Sequence, residues 1–286
     1  MNILFFGSTS DSVVVLERLT DVVAVVTQPP RPIGRKQEVT PTPVETWARK
    51  HNIPVLTFPS NPMKPWLFAD EEAVSDTLAP FKADIIISAS YGIKIPDRTI
   101  KEAHFGGINV HPSILPRWRG ADPVPWAILS GDHQIGVTLV TLSERFDEGK
   151  ILAQKKIPIT NTDTSDPLRT KLFTIGRELL ISILPDYLSH KPITRYPPFP
   201  TESSYARKFT RDDGFEPWEK LMDPKEAPRI NRKFRALHPW PGLWTLFHNK
   251  RLKILAFDHA PTQVQLEGKK PVSFPQFAKA YLSDTT

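Results

Sequence analysis

The sequence contains no cysteine. That excludes a disulfide scaffold, a thiolate nucleophile and any Cys-ligated zinc or iron–sulfur centre. Glycine is scarce, thirteen residues against thirty prolines, so many connections are stiff and flexible glycine linkers are few. No apolar run is long enough to cross a bilayer. Met1-Asn2 leads directly into an apolar strand, so no presequence or signal peptide is visible. The eight histidines show no H-E-x-x-H pair or other close spacing of metal ligands, and no metal is expected. Acidic residues are outnumbered, 31 against 37, for a net charge of +6 and a pI near 9.4. Such a balance suits an anionic partner, and suits equally a solvated basic surface. At 286 residues the chain can form one large or two modest domains.

What is present reads as strands alternating with helices. Asn2 to Gly7, Asp21 to Gln28, Ile53 to Leu56 and Asp84 to Ala89 are apolar runs of the kind buried on both faces of a parallel sheet. Gly7-Ser8-Thr9-Ser10 turns into a helix near Val13 to Leu19, without the G-x-G-x-x-G spacing of a dinucleotide site. Thr42-x-x-Glu45 with Pro43 starts a helix whose apolar stripe is Val44, Trp47 and Ala48. A weaker pattern suggests a helix over Pro62 to Leu78, and another follows over Pro123 to Leu129. Val137 to Leu142 and Ile151 to Ile159 are further strands, and Ser165-Asp166-Pro167 opens a long helix. This order predicts an α/β, Rossmann-like domain with a mostly parallel sheet over 1–190. The Pro-rich segment 191–204 reads as a linker and 205–286 as a smaller β-rich domain, with a helix at Ile230 to Leu237 and strands at Trp244 to Phe247 and Leu252 to Phe257.

The stretch Gly107-Ile108-Asn109-Val110-His111-Pro112-Ser113-Ile114-Leu115-Pro116-Arg117-Trp118-Arg119-Gly120 carries the chemistry. Asn109 and His111, two apart on a strand, share a face. An amide that can hold an oxyanion and an imidazole that can take a proton suit reaction at a carbonyl. Taken alone, the pair is better read as a core histidine and a turn asparagine.

Asn109-x-His111-Pro112-Ser113-x-Leu115-Pro116-x-x-Arg119-Gly120 resembles the signature of the folate-dependent formyltransferases. Gly136-Val137-Thr138, then Phe146-Asp147-x-Gly149-x-Ile151-Leu152, is similar to the segment carrying that family's catalytic aspartate. The resemblance extends over most of the chain. It includes Tyr205-Ala206-x-Lys208, a His238-Pro239-Trp240-Pro241-Gly242 turn, and a closing Gly268-Lys269-Lys270-x-x-Ser273-x-x-x-Phe277 segment. Gly7-Ser8-Thr9 and Asp11 depart from the family's usual Gly-Thr-Pro and following aromatic. The resemblance implies catalytic roles for Asn109, His111 and Asp147. Asn109 would donate to the oxyanion, His111 would accept the amine proton, and Asp147 would orient the imidazole. It implies a 10-formyltetrahydrofolate site at Tyr91, Gly92 and the Ser113, Ile114, Leu115 and Pro116 loop. The C-terminal domain would be OB-like and, being short between Phe257 and Gly268, lacking at least one hairpin.

The acceptor implied is initiator methionyl-tRNA, because a basic loop at Arg31 to Lys36 and an added basic domain are both present. Arg35 and Lys36 are expected at the acceptor stem. From Ala227 to Phe257 there are seven Lys/Arg and no Asp/Glu, so Arg232, Lys233 and Arg235 are expected on the tRNA backbone. An amino-sugar N-formyltransferase, a formyltetrahydrofolate hydrolase and a non-enzymatic RNA-binding relative remain alternatives. Arg145-Phe146-Asp147 resembles mitochondrial members, so the expected compartment is the mitochondrial matrix, with a bacterial cytoplasm as the alternative.

Overall fold

Apolar runs buried on both faces become the middle of a sheet. The computed structural model describes residues 1–34, 36–189 and 203–282. In chain order its first half runs β1 (Ile3–Phe6), α1 (Ser10–Leu16), β2 (Val22–Thr27), β3 (Arg31–Ile33), β4 (Glu38–Thr40), α2 (Pro43–Lys50), β5 (Val55–Thr57), α3 (Glu71–Leu78), β6 (Ile85–Ala89), α4 (Asp97–Glu102) and β7 (Gly107–His111). Then come β8 (Arg119–Gly120), α5 (Pro123–Ser130), β9 (Gln134–Thr141), β10 (Ile151–Pro158) and α6 (Ser165–Leu188). Seven strands form one sheet in the order β10-β9-β7-β6-β1-β2-β5. The pairs β1–β2, β1–β6, β2–β5 and β6–β7 are parallel, and β9 runs antiparallel to β7. Every residue of β1 and β6 is buried, as expected for strands covered on both faces. The order makes the doubly wound, mostly parallel sheet that the alternation of elements predicts.

Helix starts follow their caps. Thr9 Oγ1 accepts from Ser12 N and completes a capping box on α1, and Thr42 Oγ1 accepts from Glu45 N on α2 at 3.0 Å. The expected helix over Pro62 to Leu78 is shorter than its pattern suggests, beginning at Glu71. Pro62 and Pro65 bring no N–H, and Asn61 Oδ1 takes the N–H groups of Met63 and Lys64 in a turn. Asp70, whose carboxylate accepts from Ala73 N at 2.9 Å, is the real N-cap.

The described chain groups into two compact units. One comprises 1–121, 136–157 and the described part of 169–205; the other comprises 122–135, 158–168 and 206–282. The expected linker 191–204 lies almost wholly outside the described residues. β11 (Tyr205–Ala206) falls at the division itself, and the second unit adds α7 (Trp218–Leu221), α8 (Ala227–Leu237), β12 (Leu243–Phe247), β13 (Lys250–Asp258), β14 (Ala260–Leu266), β15 (Val272–Ser273) and α9 (Phe274–Tyr281). The strands β12-β13-β14-β15 form an antiparallel sheet. Its first hairpin turns on His248 and Asn249, both at positive φ, as a two-residue turn requires. Leu221, Ile230, Leu243, Leu252, Ile254, Val264 and Phe277 fill its core. Four strands are one fewer than an OB barrel uses, in keeping with the short span after Phe257.

A buried charge holds this unit's first segments together. Glu216 is only 3% exposed and accepts from Arg229 and, at 2.8 Å, from Lys233 Nζ on α8. Burial alone pushes its carboxyl up, but the hydrogen bonds from Arg229 and Lys233 outweigh burial and hold it below the usual carboxylate range. Glu216→Ala should therefore cost about 2–3 kcal/mol at neutral pH. That is less than the roughly 3–5 kcal/mol for a fully buried pair, because Arg229 is 41% exposed. The lowered folded value means this stabilisation is present above the unfolded carboxylate range. It declines as pH falls below about 4.3 and vanishes only beneath the folded value. Denaturant unfolding of both proteins across pH should show the gap closing in acid; a gap that stays constant would assign Glu216 no charge-dependent role.

Candidate active site

β6 and β7 end side by side, with Ser88 paired to Asn109. Beyond their C-terminal ends, where parallel sheets of this kind bind ligands, lies a pocket. Its apolar walls are Ile93, Ile95, Ile100, Val140 and Leu142, and its polar groups include Tyr91, Lys94, Asn109 and Asp147. Tyr91 packs edge-on against Phe6, ring centroids 5.4 Å apart. Its hydroxyl is buried with no partner among the described residues. Burial also pushes that hydroxyl above its ordinary pKa, so it stays a donor at all physiological pH. An apolar slot with a spare donor deep inside fits a flat heterocycle with polar edges, as a folate has.

Asp147 gathers the reactive groups. Its Oδ1 accepts from Asn109 Nδ2 at 3.2 Å and lies 3.4 Å from His111 Nδ1, while Oδ2 accepts from Gly120 N at 2.9 Å. The other ring nitrogen, His111 Nε2, lies 2.9 Å from the Trp118 carbonyl oxygen. A carbonyl only accepts, so Nε2 carries a hydrogen, and Nδ1, facing Asp147, is the nitrogen left to exchange a proton. His111 is 4% exposed and is absent from the pocket wall, whereas Asn109 and Asp147 line it.

The three expected catalytic side chains thus meet. The expected cofactor residues divide. Tyr91 lines the pocket, while Gly92 and the Ser113 to Pro116 loop do not. In that loop Thr138 Oγ1 donates to Ser113 O at 2.6 Å and accepts from Leu115 N at 3.2 Å, and Gln154 Nε2 donates to Leu115 O at 2.9 Å. Those backbone groups brace the loop from within, and Ile114 and Pro116 are carried along. Arg35 lies outside the described residues, and Lys36 is exposed beside the wholly exposed β3–β4 hairpin. Arg232, Lys233 and Arg235 do not form an open cationic face. Lys233 is spent on Glu216. Arg235 is 8% exposed, donating to Thr160 O at 3.2 Å and Asp163 O at 2.9 Å. Arg232 lies along α5's C-terminal Gly131. Burial and internal partners, invisible in a count of charges, explain the difference.

Sequence reasoning missed Thr138 and Gln154 as loop braces, and Lys94 on the pocket wall. Thr138 was within reach, since it stands in the quoted Gly136-Val137-Thr138 segment, and so was Lys94, two residues beyond the expected Tyr91-Gly92 pair; Gln154 carries no local signal.

The formyl transferase pattern matches residues 1–184 and the formyl transferase C-terminal domain pattern residues 224–263; the chain belongs to the formyl transferase family. Within it, the chain is 38% identical to the methionyl-tRNA formyltransferase of Enterococcus faecalis over 89% of this chain and 78% of that relative. It is 37% identical to the one from Listeria monocytogenes over 94% of this chain and 82% of that one. Among solved structures, a 4-N formyltransferase from Francisella tularensis aligns with a TM-score of 0.61 and 20% identity, over 86% of this chain and 93% of that one. HypX from Aquifex aeolicus in complex with tetrahydrofolic acid aligns with a TM-score of 0.60 and 16% identity, over 99% of this chain and 47% of that one. At such identities these two structures speak for the fold.

The turn that presents Asp147 leaves no room for a side chain at Gly149. A Cβ there would sit 1.8 Å from Thr141 O, inside the hairpin closed by Thr141 N on Lys150 O and Lys150 N on Thr141 Oγ1. Gly149→Ala should push the turn outward and lower kcat about 10²-fold through misplacement of Asp147. Steady-state kinetics would test this, and unchanged kcat would mean that the turn relaxes without moving the carboxylate.

Proposed function

We propose that the protein transfers the formyl group of 10-formyltetrahydrofolate to the amino group of initiator methionyl-tRNA, for translation initiation. The observation that carries the chemistry is Asp147, which stands with Asn109 on the wall of a pocket with His111 behind it, and shares that wall with a Tyr91 hydroxyl that has no partner among the described residues. The acceptor is supported by curated methionyl-tRNA formyltransferases at 36–39% identity over about nine-tenths of the chain. The amino-sugar and hydrolase alternatives are not favoured by these relatives.

Bound folate would supply the formyl carbon. Asn109 spends one amide hydrogen on Asp147 and keeps its second for the oxygen that gains charge as the amine attacks. Asp147, on the pocket wall, takes the amine proton, and His111 Nδ1 behind it shares that proton. This exchanges the two roles that the motif alone suggests, because Nε2 is tied to Trp118 O. As the bond between the formyl carbon and the folate nitrogen breaks, the proton would pass on to that nitrogen, so that tetrahydrofolate leaves neutral at that position. The apolar wall excludes water from the reacting carbon. Residues 1–190 would carry this chemistry, and 205–286 would serve the tRNA. Within the acid-free span, Lys250 and Lys253 are the exposed lysines, so they, with Lys36, are the better candidates for phosphate contact. Of the two compartments considered, the bacterial sources of the relatives favour a cytoplasmic enzyme; the mitochondrial reading rests on Arg145-Phe146 alone.

Asn109→Ala and Asp147→Asn should each lower kcat about 10²-fold or more with folate binding retained. Formylated product should accumulate with methionyl-tRNA and not with a nucleotide-linked amino sugar or water. Near wild-type turnover in either variant would overturn the chemistry, and product from the sugar would overturn the acceptor. For the surface, Lys250→Ala with Lys253→Ala should weaken tRNA binding. Each lost phosphate contact should lower the log–log salt slope by about 0.9 or less, and an unchanged slope would clear both lysines of that role.

A further inference from the structure

Residues 118–120 hold the active site from one side. The Trp118 carbonyl takes His111 Nε2, and the N–H groups of Trp118 and Arg119 donate to Ser204 Oγ at 3.0 Å and Ser204 O at 2.9 Å. So anchored, this segment reaches the Asp147 turn by two consecutive rungs. Gly120 N donates to Asp147 Oδ2 at 2.9 Å, and Arg119 Nη1 donates to Glu148 Oε1 at 3.0 Å. Adjacent residues on one segment bind adjacent residues on the other.

The second rung matters because the first alone does not fix the turn. Asp147 adopts φ +57°, an uncommon conformation for a non-glycine residue, though one that Asp tolerates better than most. One hydrogen bond to Oδ2 would leave the carboxylate free to pivot about that oxygen. Such a pivot carries Oδ1 away from Asn109 and His111. Pinning the neighbouring residue removes the pivot. The Arg119 side chain is 17% exposed and that of Glu148 37%, so their ion pair is only partly screened. Arg145, the other cation near Glu148, is 3.7 Å away and 80% exposed, a much weaker hold.

We propose that Arg119 and Glu148 are positioning residues for the formyl transfer: their ion pair sets the orientation of the Asp147 carboxylate without touching substrate. The proposal rests on the reading of Asp147 as the proton-handling group.

The experiment measures kcat, the KM for 10-formyltetrahydrofolate and the thermal midpoint for the wild type and four variants: Asp147→Asn, Glu148→Gln, Arg119→Gln and the double exchange Arg119→Glu/Glu148→Arg. Glu148→Gln keeps the shape of a half-exposed side chain, so it folds. The clamp requires that kcat fall about tenfold in both single variants, as expected for a carboxylate slightly out of line. It also requires KM to stay within about twofold and the exchanged pair to recover most of kcat. A purely structural pair would lower the thermal midpoint and leave kcat of the folded protein alone, which would overturn the proposal. So would a kcat deficit that the exchange fails to repair. Asp147→Asn separates the two readings: if it is fully active, the assignment of Asp147 is at fault, and if it alone is inactive, only the clamp is.

Discussion

One carboxylate with two differently employed oxygens is the constraint on which this site depends. Asp147 Oδ2 faces a backbone N–H, and Oδ1 faces Asn109 and His111. The backbone contact holds one oxygen in place; the other is left to meet Asn109 and His111. Because the group is 6% exposed at its side chain, water cannot replace these partners cheaply, and each contact is worth more than it would be on the surface. The arrangement also explains why the imidazole sits behind the carboxylate. With Nε2 committed to Trp118 O, the ring nitrogen that remains, Nδ1, faces Asp147.

Everything around the carboxylate is stiff for a reason visible in the composition. The connections are made with proline and with side-chain-to-backbone hydrogen bonds more than with glycine. Thr138 is the clearest case. Standing opposite His111 in the β7–β9 register, it donates to Ser113 O and accepts from Leu115 N. One hydroxyl on a strand thus positions the loop that follows the neighbouring strand. Two glycines stand beside the carboxylate: Gly120 supplies the N–H on Oδ2, and Gly149 is used where the backbone of Thr141 comes too close for any side chain.

The parallel sheet was legible because its signal is local. A run such as Asp84 to Ala89 must be buried on both faces, and few structures other than a central strand satisfy it. That Asn109, His111 and Asp147 come together was legible through the motifs, since the spacing of Asn109 and His111 survives as a shared strand face. Pro62 to Asp70 was misread because hydrophobic spacing alone does not register missing N–H groups or an Asn that captures two others. The orientation of the His111 ring toward Asp147 was not legible at all. It turns on which ring nitrogen meets Trp118 O, a contact made through tertiary structure.

The basic span from Ala227 to Phe257 shows why charge counts mislead in a particular direction. The span contains no acid, yet its cations are not all available, because the acid that answers them, Glu216, lies just upstream and is buried. Backbone carbonyls answer Arg235 in the same way, and a carbonyl has no entry in a charge tally. A buried cation is kept by its partners and lost to the solvent field, so the outward potential of a helix such as α8 is set by what remains exposed. On β13 the same sequence chemistry has the opposite outcome. Alternation sends Leu252 and Ile254 inward to the core and leaves Lys253 exposed. Where a lysine falls in a strand's period of two therefore decides whether it can meet a phosphate, and that period is readable from the sequence when a run of charge is not.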